Sequence, residues 1–197
     1  MNRDGFTRFI PVILFVAVVV LIVAAFISIS RGIFGESEPV DDPGRTSLTN
    51  TGSDRSVRMT VRGPIIAEEE HRSYQISISP DKREFTSYQG YLDRPIDRQQ
   101  LDNNSQAYEE FVYALDRYSL MVGSEGENED NDLRGRCPKG TLYEFETVNA
   151  GNVVKRLWSS SCRGDDATLQ ADRGDVTELF RDQIPEIRKL TRGLSLR

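Results

Sequence analysis

Histidine is almost absent from this chain of 197 residues: His71 is the only one. A serine triad would have to use it as the base, and a zinc site would have at most one imidazole. It sits in His71-Arg72-Ser73-Tyr74, and no GxSxG elbow occurs anywhere. We read His71 as an exposed residue at the start of a strand. Cysteine is nearly as scarce. Cys137 and Cys162 are the only two, and neither lies in a CxxC pair, which excludes thiol oxidoreductase chemistry. Basic residues are outnumbered 25 to 31, the wrong balance for reading phosphate backbones, so nucleic acid is excluded as a partner. No catalytic, cofactor-binding or metal-ligating set can be assembled from what remains.

What is present begins with an uncharged run. Residues 9–30 read FIPVILFVAVVVLIVAAFISIS, bracketed by Arg8 and Arg31. As a helix these 22 residues span about 33 Å, enough for a hydrocarbon core of about 30 Å. The apolar part of a cleaved signal peptide is usually shorter, so the run reads as a retained anchor. Arg3 and Arg8 precede it, whereas Glu36, Glu38, Asp41 and Asp42 follow, which keeps residues 1–8 in the cytoplasm and exports the rest. Residues 31–55, rich in Gly, Ser, Thr, Asp and Pro, read as a flexible linker. The folded domain is expected over 56–190, with a basic, frayed tail at 191–197.

Within that domain, Val57, Met59 and Val61 alternate with polar residues, as in a half-buried strand. Tyr74, Ile76 and Ile78 do the same, and Pro80-Asp81-Lys82 turns the chain into a strand through Phe85 and Tyr88. Tyr108, Phe111, Val112, Leu115, Tyr118, Ser119 and Val122 fall on one face of a helix, with Asn103, Asn104 or Ser105 to cap it. A second hairpin pairs residues 141–148 with 153–159 around Asn149-Ala150-Gly151-Asn152. A register in which paired numbers sum to 299 places Phe145 against Val154, Thr141 against Trp158, Glu144 against Lys155 and Cys137 against Cys162. Val176, Leu179, Phe180, Ile184 and Ile187 form the stripe of a last helix, which Pro185 ends or kinks; Asp175 and Glu178 resemble a capping box. The expected fold is α+β: an antiparallel sheet of two hairpins and an extra strand, with two helices on one face.

Export favours pairing of Cys137 with Cys162, as does their symmetry about the hairpin. Five carboxylates lie between Glu125 and Asp132. They lack the DxDxDG order of a calcium loop, and Arg134 and Arg136 follow, so a solvated loop is expected there. Two Arg-Gly-Asp tripeptides, 163–165 and 173–175, are accounted for by turn and cap chemistry.

The apolar N-terminal helix, the linker and the stretch GRCPKGTLYEFETVNAGNVVKRLWSSSCRG resemble uncharacterised anchored surface proteins of Saccharibacteria-type bacteria. That resemblance implies an extracytoplasmic domain and carries no site residues. The order hairpin, helix, hairpin, helix is similar to that of emfourin-like metalloprotease inhibitors. The expectation is a single-pass, membrane-anchored binding or structural module of the cell envelope, with an envelope or extracellular protein as partner. The alternatives are an inhibitor of an envelope or host protease, and a hydrolase that uses paired carboxylates on glycans.

Overall fold

The computed structural model describes residues 43–125, 132–194 and 196. The apolar run 9–30 and most of the acidic run Glu125–Asp132 lie outside these residues. Among the described residues, no helix is long and apolar enough to cross a membrane.

The elements, in order, are α1 (Pro43–Thr49), β1 (Arg55–Arg62), β2 (Arg72–Ile78), β3 (Lys82–Gln89), β4 (Arg94–Asp102), α2 (Ser105–Arg117), β5 (Leu142–Asn149), β6 (Asn152–Ser160), α3 (Arg173–Asp182) and α4 (Ile187–Thr191). The domain is α+β as expected. Its six strands form one antiparallel sheet in the order β4-β3-β2-β1-β5-β6.

Period-two alternation becomes a single row of apolar side chains across the sheet. Met59 pairs with Ile76 on one side and Phe145 on the other; Ile76 pairs with Phe85, and Phe145 with Leu157. All five are fully buried. Onto this face α2 lays Tyr108, Phe111, Val112 and Leu115, and α3 lays Val176 and Phe180. The Phe180 ring meets Phe111 edge-on at 5.3 Å and Phe145 at 6.0 Å. These contacts fix α3 to the sheet through aromatic area rather than through charge.

The opposite face of the sheet is polar and holds a lattice of paired charges. Arg58 Nε donates to Glu146 at 2.6 Å, and Arg62 Nε to Glu144 at 2.8 Å. Arg156 lies 4.0 Å from Glu144 and 3.7 Å from Glu146. Arg98 reaches Glu84 across the outer strands at 2.6 Å.

Both sheet edges are guarded in part. On β6, Arg156 N–H donates to Glu125 Oε1 at 2.5 Å and Trp158 N–H to Thr168 Oγ1 at 2.9 Å, while Leu169 N–H donates to the Trp158 carbonyl at 3.0 Å. On β4, Pro95 has no N–H to offer, a bulge interrupts pairing beside Ser87 and Tyr88, and Arg98 N–H is taken by Asp97 Oδ1 at 2.8 Å.

Several expectations need correction. The folded part includes Pro43–Thr49, ahead of Ser56: within the span read as linker, α1 buries Leu48 completely, and its Arg45 forms a two-pronged ion pair with Asp116 at 2.8 and 3.1 Å. A helix of 7 residues is too short to stand alone, so this packing is what holds it. The tail is not simply frayed, because Thr141 Oγ1 donates to the Leu196 carbonyl at 2.5 Å and Leu194 and Leu196 lean on the core. β4 carries almost no apolar alternation and escaped the sequence reading. The β5–β6 register is also different: Phe145 faces Leu157, Glu144 faces Trp158 and Thr147 faces Lys155. A two-residue turn, with Ala150 at φ 48° and Gly151 at φ 83°, replaces the assumed centre, and a bulge between Thr147 and Val148 shifts the faces. α3 is capped by Asp172, which accepts from Asp175 N–H at 3.0 Å, rather than by Asp175 itself.

Candidate functional site

The disulfide is present: Cys137 and Cys162 are joined, with Cα atoms 5.5 Å apart. Straight strand pairing does not bring them together, since the ladder ends at Leu142 and Ser160. A turn over Cys137–Gly140, closed by Gly140 N–H donating to the Cys137 carbonyl at 3.1 Å, folds the chain back instead. A side chain on Gly140 would collide with Ser161 Oγ and the Cys137 sulfur, so this position favours glycine. Asp165 lies beside the two sulfurs, but sulfurs spent in a disulfide are not thiolate ligands, and the trio is no metal site.

His71 is not exposed. It is 3% accessible and stacks on Tyr91 with centroids 4.2 Å apart, its Nδ1 lying 3.2 Å from the Pro64 carbonyl. The Tyr91 hydroxyl donates to the Ile66 carbonyl at 2.7 Å. The pair clamps the β1–β2 loop. Of the two Arg-Gly-Asp tripeptides, the first has Asp165 accepting from the Ser160 hydroxyl, and the second has Arg173 donating to the Ser160 carbonyl. Each is thus used in part to finish β6. Glu144 and Glu146 alternate along β5 on the bare face, about 7 Å apart by strand geometry. That spacing would suit paired carboxylates, but both are held in ion pairs with Arg58 and Arg62.

A different site emerges where the last two helices meet the sheet. Val61 pairs with Tyr74 on one side and with Tyr143 on the other, which sets two tyrosines on the helix-bearing face. Along α3, Arg173, Thr177 and Arg181 recur every four residues and so share one face of the helix. The neighbouring stripe, Val176 and Phe180, is turned into the core, and this directs the Arg173–Arg181 stripe along the tyrosines. Arg173 lies over the Tyr143 ring at 5.0 Å. On the far wall, Arg188 and Arg192 are also four apart, and Leu194 and Leu196 follow.

Two adjoining cavities result, of about 340 and 460 Å³, and both are bordered by Tyr143, Thr177 and Arg181. Arg188 lines the first and Arg192 the second. Among the described residues, the guanidiniums of Arg181, Arg188 and Arg192 make no ion pair or hydrogen bond. Glu178 and Asp182 share the rim of the first cavity without pairing to them. Thr177 Oγ1 is buried and has no partner. Burial pushes the Tyr74 hydroxyl up to about 12, an effect that the Arg181 charge opposes and Tyr143 adds to. The arrangement offers positive charge and hydroxyl donors with nothing in the protein to satisfy them.

Sequence reasoning found none of these residues as a site. The signal in the sequence is the four-residue spacing of Arg173, Thr177 and Arg181, together with Arg188 and Arg192 near the C-terminal end. No family model matches the chain, and no curated protein matches it.

Proposed function

We propose that this chain is a binding module that captures an anionic ligand in the groove around Arg181, and that residues 9–30 anchor it in a membrane with the folded domain on the exported side. The observation that carries the binding reading is the convergence of three unpaired arginines on the buried, unpartnered hydroxyl of Thr177. Unpaired guanidiniums around a pocket are the common means of holding carboxylates and phosphates, because the planar fork donates two parallel hydrogen bonds. The disulfide supports export, since such bonds persist in oxidising compartments. Glu178 and Asp182 border the first cavity, and the reading taken here is capture of the ligand by the arginines.

The test uses the full chain in detergent. Inorganic phosphate titrated at constant ionic strength should raise the melting temperature of the wild type, and Arg181→Gln should abolish that rise. An equal rise in Arg181→Gln would remove the groove as the binding site. Protease shaving of intact cells, run on non-reducing gels, tests the topology. Loss of residues 43–196 to external protease supports export, and full protection counts against it.

A further inference from the structure

The groove is two cavities rather than one, and they share a cation. Arg181, with Tyr143 and Thr177, borders both; Arg188 belongs to the first and Arg192 to the second. A single small anion would leave one of them empty, with its arginine still unpaired. We propose, building on the anion-binding reading, that the natural ligand is a linear chain of repeated phosphate groups that seats one phosphate in each cavity and bridges them at Arg181.

Three features favour a repeating ligand over a lone ion. The cavities adjoin, so one continuous chain can thread both. Together they offer more space than one phosphate fills, and they lie open to solvent on α4, where a long chain can enter and leave. The donors are the guanidiniums of Arg181 from α3 and of Arg188 and Arg192 from α4 and its C-cap, with the hydroxyls of Thr177, Tyr74 and Tyr143 in the lining and Glu178 and Asp182 on the first cavity's rim. That spread suits a tetrahedral group with several acceptor oxygens better than a planar carboxylate, which is satisfied by one fork.

The chemistry of linkage sets the expected effect. Once the first phosphate is held, the second binds at a high effective concentration, so the chain gains without any new type of contact. Each phosphate neutralised also releases condensed counterions, which steepens the salt dependence.

The experiment is calorimetric titration of the full chain in detergent with inorganic phosphate, a linear polyphosphate of about ten units, and poly-glutamate of matched length. The polyphosphate should bind at least about a hundredfold more tightly than inorganic phosphate, with a salt slope near twice as steep. Arg188→Gln and Arg192→Gln should each remove most of that advantage while leaving inorganic phosphate bound at the other cavity. Arg181→Gln should abolish both. Polyphosphate that binds no tighter than inorganic phosphate overturns the bridging proposal while leaving the anion-binding reading standing. Poly-glutamate that binds as tightly as polyphosphate overturns the assignment to phosphate. If neither phosphate ligand binds and Arg181→Gln changes nothing, the anion-binding reading itself has failed.

Discussion

Two populations of arginine occupy opposite sides of the same sheet. On the bare face, Arg58 and Arg62 each have a carboxylate within 2.8 Å, and Arg156 sits between Glu144 and Glu146. In the groove against α3 and α4, Arg181, Arg188 and Arg192 have none. The first set is internally satisfied and serves the fold. The second carries charge that the protein itself leaves unanswered. Our proposal rests on that contrast: the groove arginines are the ones available to a ligand, although Glu178 and Asp182 border the same first cavity.

The comparison can be broken most severely through the scaffold that both regions share. Phe145 sits at the crossing of the apolar row and the Phe180 contact, fully buried. Phe145→Ala should cost about 3–5 kcal/mol in urea unfolding and loosen both faces together. A smaller loss would mean that the core closes around the vacancy.

Tyr74 provides the next test, and it concerns the groove alone. Burial raises its hydroxyl from an ordinary 10.0 to about 12, so the folded state keeps a proton that the unfolded chain gives up. A raised value in the fold contributes stability that is fully present below pH 10 and is lost as pH climbs towards 12. The unfolding free energy should therefore fall across that window, by roughly 2–3 kcal/mol in all. Tyr74→Phe should flatten the dependence. Because the Arg181 charge favours the phenolate, Arg181→Gln should push the transition to still higher pH.

The bare face is tested by Glu146→Gln. It withdraws charge from both Arg58 and Arg156 and should cost about 1–3 kcal/mol, with phosphate binding unchanged. The smallest expected effect is the sharpest. Arg181→Gln should alter stability by less than about 0.5 kcal/mol while removing phosphate binding. If Arg181→Gln destabilises as much as Glu146→Gln, the two sets of arginines do the same work and the contrast dissolves.

The sequence carried the core well and the site poorly, for reasons that particular residues make plain. Alternation at Val57, Met59, Val61 and at Tyr74, Ile76, Ile78 is a strong signal, because a pleated strand has one face to bury. β4 gives no such signal: it is an outer strand whose residues Arg94–Gln99 are nearly all exposed, and only backbone pairing with β3 defines it. α1 was hidden by composition, since Gly44 and Ser47 look like linker residues until Leu48 is seen to be buried. The disulfide was read correctly, but through a register that the turn at Ala150-Gly151 does not allow. The groove was illegible because it joins strand residues near 61, 74 and 143 to helix residues near 181 and 192. No local pattern links such distant positions; only the crossing of Val61 between its two tyrosine partners does.

The guarded margins of the sheet bear on how copies of this protein meet. Proteins confined to a surface meet each other far more often than they would in free solution, and a naked strand on each would let them zip into fibrils. Here the β6 margin is occupied by Glu125, Thr168 and Leu169, and the β4 margin loses two donors through Pro95 and Asp97. Copies brought together at high density would meet fewer open donors and acceptors at these margins than at bare strand edges.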